Sequence, residues 1–198
     1  MTDRESGSAV EARVDPYGTN EKLAEEFPEH LRTRYTELEL RCPRCTSMWN
    51  AIVTVVANAK THPAATEGVL RKTLHHSRCP ACKQHSYDVD QIWEYYDPDR
   101  ELIVQVRPKW EYKAAGGEDG YFKRLESLVL KHQEDNVRVD VVYGVDELVE
   151  KYLGGEEAHQ AAMRRREKER ELKMQPGMIR AENEHEFMGD DKPAEDLA

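Results

Sequence analysis

The chain has 198 residues and a net charge of −10, with 39 acidic against 29 basic side chains. Apolar residues make up 38% of it and charged residues 34%, which predicts one compact domain with polar extensions. The acidic balance disfavours binding to nucleic acid through overall charge, and no apolar run reaches the roughly 18 residues of a membrane helix. The acidic first thirty residues are unlike a secretory signal, so we expect a cytoplasmic protein with reduced thiols.

Composition divides the chain into three zones. Residues 1–34 lack a periodic apolar pattern, which predicts an acidic, mobile N-terminal arm with a short helix from about Glu21 to Phe27. Residues 35–153 contain all four cysteines and all three tryptophans and form the predicted domain. Residues 154–198 begin with charged helix formers and end in an acidic stretch, so we expect a charged helix followed by a disordered tail.

The first half of the predicted domain is rich in strand patterns. Residues 35–41 predict one strand, and residues 49–57 predict a second that is covered on both faces. A short helix is expected from Pro63 to about Thr73. Residues 87–95 then predict one longer strand, with Asp88, Asp90 and Glu94 on its outward face.

The second half begins with the turn sequence DPDR at 97–100, which predicts a hairpin whose returning strand ends before Pro108. Gly116 and Gly117 interrupt the chain, and Asp119 is a candidate cap for the next helix. The expected buried face of this helix comprises Phe122, Leu125, Leu128, Val129 and His132.

A strand over 137–141 and an amphipathic helix over 145–152 complete the domain. The order of elements predicts an α+β fold, in which a small mixed or antiparallel sheet is combined with two to three helices and flanked by polar tails.

Two cysteine pairs share one spacing, CPRC at 42–45 and CPAC at 79–82, and 33 residues separate them. Zn²⁺ takes four soft ligands at tetrahedral corners, and one tight turn with two residues between its cysteines supplies two of them. Cys42, Cys45, Cys79 and Cys82 are therefore the predicted ligands of one structural zinc ion, with zinc-ribbon-like geometry. A site closed by four thiolates has no open position for water, which argues against metal catalysis.

Redox chemistry is the main alternative for these cysteines. A thioredoxin-like motif places one pair at the start of a helix, where one thiolate is activated. Here each pair leads into a predicted strand, and the two pairs match in form, which a single catalytic dithiol does not require. A disulfide and unligated buried thiols are the further alternatives.

Three histidines flank the second cysteine pair, at His75, His76 and His85. Four cysteines already complete a zinc shell, so we interpret these histidines as surface or supporting groups, with metal ligation as the alternative.

Two other segments suggest contacts with nucleic acid. Trp93, Tyr95 and Tyr96 are interpreted as core side chains of a strand, with a base-stacking platform as the alternative. The arginine-rich stretch at 163–170 is interleaved with glutamates, so we interpret it as a self-neutralising helix surface and keep a nucleic-acid-binding arm as the alternative.

These features together resemble the CpXC family of prokaryotic proteins. The resemblance rests on the two CPxC motifs, on YYDPDREL at 95–102 and on VVYGVDELVEKYL at 141–153, and it covers roughly residues 37–153. It implies a small α+β domain in which the four cysteines bind zinc, and it implies no particular activity. Such metal-binding turns commonly carry glycine after the second cysteine, where the backbone favours positive φ. Thr46 and Lys83 occupy these positions, which predicts strain in the first turn.

We therefore expect a non-enzymatic, zinc-stabilised binding or assembly module that acts through contacts with a protein partner, without a membrane. A nucleic-acid-associated or transcription-linked zinc ribbon is the alternative, and the net charge disfavours it. A thiol oxidoreductase is the third hypothesis.

Overall fold

The computed structural model describes residues 20–83 and 86–174. Seven strands lie in this part of the chain: β1 (Arg34–Arg41), β2 (Met48–Asn58), β3 (His76–Arg78), β4 (Ser86–Asp88), β5 (Trp93–Asp97), β6 (Leu102–Arg107) and β7 (Arg138–Tyr143). The same ranges contain six α-helices: α1 (Glu21–Ala24), α2 (Pro63–Leu70), α3 (Lys109–Ala114), α4 (Glu118–Lys131), α5 (Val145–Tyr152) and α6 (Gly155–Met174).

Five strands form a mixed sheet in the order β1-β2-β5-β6-β7. The pairs β1–β2 and β5–β6 are antiparallel, whereas β2–β5 and β6–β7 are parallel. Strands β3 and β4 pair with each other in a separate two-stranded sheet. The predicted α+β class with a small mixed sheet is confirmed.

The hairpin of β5 and β6 forms at the predicted turn. A 3-10 turn over Pro98–Arg100 follows Asp97, and Asp97 pairs with Leu102 across the hairpin. Glu101 has a φ of 49°, in the left-handed region, which reverses the chain before β6 starts.

One face of the sheet carries the larger part of the core. Helices α2 and α5 contribute Val69 and Leu148 to it. The buried strand residues on this face are Ala57, Trp93, Tyr95, Leu102, Val104, Val106 and Val142. The interpretation of Trp93 and Tyr95 as core aromatics is confirmed, because both rings are almost fully enclosed.

The opposite face is covered by residues 27–33, which lie before β1. Leu31 is buried against Tyr96 and Ile103, and the Phe27 ring meets the Tyr96 ring edge-on at 6.0 Å. The Asn58 side chain donates a hydrogen bond to the Leu31 carbonyl at 3.1 Å. These residues belong to the zone predicted as an arm, whose residues 1–19 lie outside the described part of the chain.

The single strand predicted over residues 87–95 is wrong. The chain instead forms β4 in the two-stranded sheet, runs without strand structure over residues 89–92, and enters the five-stranded sheet as β5 between β2 and β6. Glu94 is also not on an outward face, since only 5% of it is exposed. The prediction failed because β4 pairs with β3 next to the second cysteine pair, a contact that strand periodicity does not encode.

The helical region after β6 also differs from the prediction. Helix α3 was not predicted, and α4 starts at Glu118 with Gly117, at a φ of 66°, as its N-cap, so Asp119 is not the cap. Leu128 and His132 are buried as expected, but Phe122 and Val129 are exposed.

Helix α6 matches the predicted charged helix. Residues up to His159 belong to one compact unit, and residues from Gln160 belong to a second. In the second unit, α6 continues to Met174 and exposes Leu172, as expected for a helix without an apolar stripe. The predicted acidic tail from residue 175 lies outside the described residues.

Candidate metal centre

The structure brings all four predicted ligands together. Cys42 and Cys45 lie in the turn between β1 and β2, and Cys79 and Cys82 lie in the turn between β3 and β4. Cys42 Sγ is 3.8 Å from Cys82 Sγ, and Cys45 Sγ is 3.6 Å from Cys79 Sγ. All four sulfur atoms lie within 4.8 Å of one another.

These separations fit the corners of a tetrahedral metal site. Four metal–sulfur bonds of about 2.3 Å place neighbouring sulfur atoms roughly 3.8 Å apart. A disulfide requires about 2.05 Å between its sulfur atoms, and the four cysteines are all free. The arrangement therefore suits one metal ion held by four thiolates.

The two turns repeat one backbone pattern. The Thr46 N–H donates to the Cys42 carbonyl at 2.9 Å, and the Lys83 N–H donates to the Cys79 carbonyl at 3.0 Å. In the first turn the Cys42 N–H also donates to the Ser47 carbonyl at 2.9 Å. These bonds close each turn so that both of its cysteine side chains point to one place.

Thr46 and Lys83 adopt the left-handed conformation that glycine favours. Their φ angles are 58° and 54°. The predicted positive φ at both positions is confirmed, and Thr46 has the greater strain because its side chain is branched at Cβ. The intact hydrogen bonds of both turns show that the fold accommodates this strain.

Ser47 favours the thiolate form of Cys45. Cys45 Sγ lies 3.3 Å from the Ser47 hydroxyl, and its hydrogen bonds with the side chain and the backbone of Ser47 lower the pKa of the Cys45 thiol to about 6. A metal binds the deprotonated thiolate, so this environment prepares the sulfur for ligation. Sequence reasoning missed Ser47, although its position two residues after Cys45 was visible.

A side-chain contact joins the two cysteine-bearing hairpins. Trp49 on β2 donates through its indole N–H to the Ser77 hydroxyl on β3 at 3.1 Å. Cys42 and Cys79 are fully enclosed, and Cys45 and Cys82 are partly exposed. The centre thus lies where the two hairpins meet. A bound metal would connect them through its bonds to the four cysteine sulfur atoms.

The histidines near the second pair have other partners. His75 Nε2 accepts a hydrogen bond from the Thr54 N–H at 3.2 Å, and burial lowers the pKa of His75 to about 4, so its ring is neutral. His76 Nδ1 lies 2.9 Å from the Asp88 carboxylate. Neither histidine belongs to the sulfur cluster, and His85 lies outside the described residues.

A family model described as "CpXC protein" matches residues 40–160, which include both cysteine pairs, α5 and the first residues of α6. The chain belongs to the CpXC family. No curated protein and no solved structure is significantly similar to it. Among the helices of residues 20–83 and 86–174, none is long and apolar enough to cross a bilayer.

Proposed function

We propose that this CpXC protein is a non-enzymatic, zinc-stabilised module that binds a protein partner. Cys42, Cys45, Cys79 and Cys82 would hold one structural Zn²⁺, and the observation that supports the binding role is an exposed aromatic surface on α3 and α4. A shell of four thiolates leaves no site for substrate or water on the metal, which favours a structural role over a catalytic one.

The ligand set supports zinc as the metal. Tetrahedral sites made of four thiolates select zinc or iron–sulfur clusters, and a single ion fits four sulfur atoms that lie within 4.8 Å of one another. Metal analysis of protein purified without added metal should give about one zinc per chain. Iron with a visible absorption spectrum would contradict this assignment.

The aromatic surface is formed by Tyr112 of α3 and Phe122 of α4. Phe122 is 62% exposed and Tyr112 is 39% exposed, and Tyr112 packs edge-on against Tyr143 with ring centroids 5.0 Å apart. Tyr112, Phe122, Tyr143 and Tyr121 line a cavity of about 570 Å³. Tryptophan and tyrosine are the residues that contribute most to protein–protein binding energy, so this surface suits a protein partner with an apolar anchor.

The charges on these two helices favour a protein over a nucleic acid at this surface. Residues 109–126 contain four basic and four acidic side chains: Lys109, Lys113, Lys123 and Arg124, and Glu111, Glu118, Asp119 and Glu126. Nucleic acid selects a surface with an excess of positive charge, whereas the rim of a protein interface commonly carries both signs.

Paired variants test this binding role. The double variant Tyr112→Ser/Phe122→Ser removes the aromatic surface, and Ile52→Ser/Ile92→Ser is a matched control, since those two side chains are 43% and 39% exposed outside α3 and α4. A partner should be captured from the native cell by wild type and control. Its affinity, measured with both proteins purified, should fall at least about tenfold in the aromatic variant. Equal affinity of all three proteins would contradict the proposal.

A second candidate function is binding to nucleic acid through the cysteine-bearing turns. Arg41, Arg44, Arg78 and Lys83 are exposed beside the four cysteines, and the segments 40–49 and 77–83 contain no acidic residue. This local excess of positive charge gives the alternative a specific surface despite the acidic chain.

Fluorescence anisotropy with single-stranded RNA and DNA at low salt tests this second candidate. Arg44→Glu/Arg78→Glu should abolish binding, and Lys113→Glu/Lys123→Glu is the control that changes charge by the same amount on α3 and α4. Non-specific binding is strongest at low salt, so no signal there for the wild type would exclude the candidate.

A further inference from the structure

A buried charged cluster lies on the sheet face that residues 27–33 cover. Glu94 of β5 is 5% exposed, and His132, which follows α4, is 3% exposed. His132 Nε2 lies 3.4 Å from one Glu94 oxygen, and Lys131 Nζ lies 2.5 Å from the other. Buried charges of this kind are costly unless they are paired, so the partners of Glu94 and His132 matter.

The second nitrogen of His132 faces another carboxylate. His132 Nδ1 lies 2.7 Å from Asp135 Oδ2, and His30 Nε2 lies 2.8 Å and 3.0 Å from the two oxygens of the same Asp135. His30 belongs to the 3-10 turn Glu29–Leu31, next to the buried Leu31. Asp135 therefore connects the buried histidine to the segment before β1.

A proton on His132 accounts for this geometry. Nδ1 hydrogen-bonds to Asp135, and Nε2 lies 3.4 Å from Glu94 at an ion-pair distance without a hydrogen bond, so the imidazolium form places its positive charge between two carboxylates. Two carboxylates, Glu94 and Asp135, then face the charged side chains of Lys131 and His132, and His30 Nε2 hydrogen-bonds to Asp135. Burial lowers the pKa of His132, but its interactions with Glu94 and Asp135 outweigh that effect and raise it.

The carboxylates show the reciprocal effect. Burial raises the pKa of Glu94, but its interactions with His132 and Lys131 lower it to about 2. The pKa of Asp135 is lowered as well, since His132 and His30 together outweigh burial.

A metal ion explains the cluster less well than a proton. Ligands of a tetrahedral ion at about 2.0–2.1 Å stand roughly 3.3 Å apart, whereas His132 and His30 approach Asp135 at 2.7 Å and 2.8 Å. A divalent ion with two neutral histidines also leaves one excess positive charge beside the buried Glu94. The distances are those of charge-assisted hydrogen bonds.

We propose that protonated His132 is a latch that holds residues 27–33 on the sheet face of Tyr96 and Ile103, and that loss of its proton releases them. Neutral His132 has a single N–H, so one carboxylate then faces a lone pair and the cluster carries excess negative charge. Glu94 keeps its ion pair with Lys131. Asp135, which is the more exposed carboxylate, moves away from His132, and its hydrogen bond with His30 is lost. This regulation is independent of the aromatic surface on α3 and α4.

The pH range follows from the direction of each shift. The His132 contribution is complete below its ordinary pKa of 6.5 and is lost as pH rises through its higher folded value. The Glu94 contribution is complete above its ordinary pKa of 4.5 and is lost as pH falls toward 2. Docking is therefore strongest between these two ordinary values. Glu101 and Arg138 also line the cleft beside His132, and burial raises the pKa of Tyr96, with the charges of Asp135 and Glu101 adding to that effect.

Hydrogen exchange of peptides that cover residues 27–33 tests the latch in the full zinc-loaded chain. After correction for the intrinsic rate, opening should increase by up to about tenfold per pH unit between the ordinary pKa of 6.5 and the folded pKa of His132, and it should level off above that folded pKa, which NMR of the ring gives directly. Asp135→Asn should open the segment at pH 6 and remove the pH dependence. His76→Gln, which removes an exposed pair with Asp88, is the matched control and should behave as wild type.

Three results would overturn the latch. The first is exchange of residues 27–33 that does not change while His132 titrates. The second is wild-type protection of residues 27–33 at pH 6 in the variant His132→Gln. If that variant does not fold, His30→Gln takes its place in the test. The third is a second equivalent of zinc that binds at His30 and Asp135 and restores protection at high pH, since a metal would then be the occupant.

Discussion

Thr46 shows at the scale of one residue how a metal-binding turn constrains its sequence. Its backbone must take a φ of 58° so that its N–H reaches the Cys42 carbonyl at 2.9 Å. A residue with a branched Cβ pays a steric cost in this region that glycine does not have. The cost persists because four cysteines and the β1–β2 hairpin together fix the turn.

Replacing Thr46 by glycine should stabilise the metal-loaded protein. Relief of the left-handed strain is worth about 1–2 kcal/mol, and greater freedom of the unfolded chain offsets part of it, so we expect a net gain of about 1 kcal/mol. Chemical unfolding at constant zinc measures the free energy of unfolding. Lys83→Gly should give a smaller gain because lysine is unbranched, and a loss of stability in Thr46→Gly would contradict the strain.

At the scale of elements, the close approach of α3 and α4 depends on Gly120. A Cβ atom at this position would lie 2.3 Å from the Ala115 carbonyl oxygen, which the backbone cannot accommodate without moving. The contact sets how α3 and α4 place Tyr112 and Phe122 along one cavity.

Gly120→Ala should therefore lower the free energy of unfolding by about 1–3 kcal/mol, the usual cost of overpacking. It should also weaken partner binding at the aromatic surface. Gly68→Ala on α2 is the control, since its new Cβ would meet Leu74 at an ordinary 3.4 Å and alanine favours helix. Urea unfolding measures the stability of both variants. Equal stability would contradict the prediction, because it would show that α3 can move away from the new Cβ atom at no cost.

The local features of these elements could be predicted from the sequence, whereas the features that depend on tertiary contacts could not. The DPDR turn, the β5–β6 hairpin and the positive φ after each cysteine pair depend on neighbours in the chain, and all were predictable. The break between β4 and β5 depends on pairing with β3, and the burial of Glu94 depends on Lys131 and His132. Periodicity carries no information about such distant partners.

At the scale of the whole molecule, the metal centre connects parts of the chain that the main sheet alone does not join. The first cysteine pair is continuous with β1 and β2, and the second is carried by the separate β3–β4 hairpin. The indole–hydroxyl bond of Trp49 and Ser77 is a direct contact between these two parts. Without metal, the four sulfur atoms within 4.8 Å of one another have only weak thiol hydrogen bonds, and they repel once more than one of them is ionised.

Chelation should consequently loosen the molecule unevenly. Zinc removal takes away ligation free energy that contributes to folding, so the unfolding temperature should fall by about 10 °C or more. Hydrogen exchange should rise first in β3, β4 and the two cysteine turns, and least in β5, β6 and β7, whose core residues pack on α2 and α5. Zinc added back should restore protection in wild type but not in Cys79→Ser. Uniform exchange across the sheet after chelation would mean that the centre stabilises the whole fold and not the junction of two hairpins.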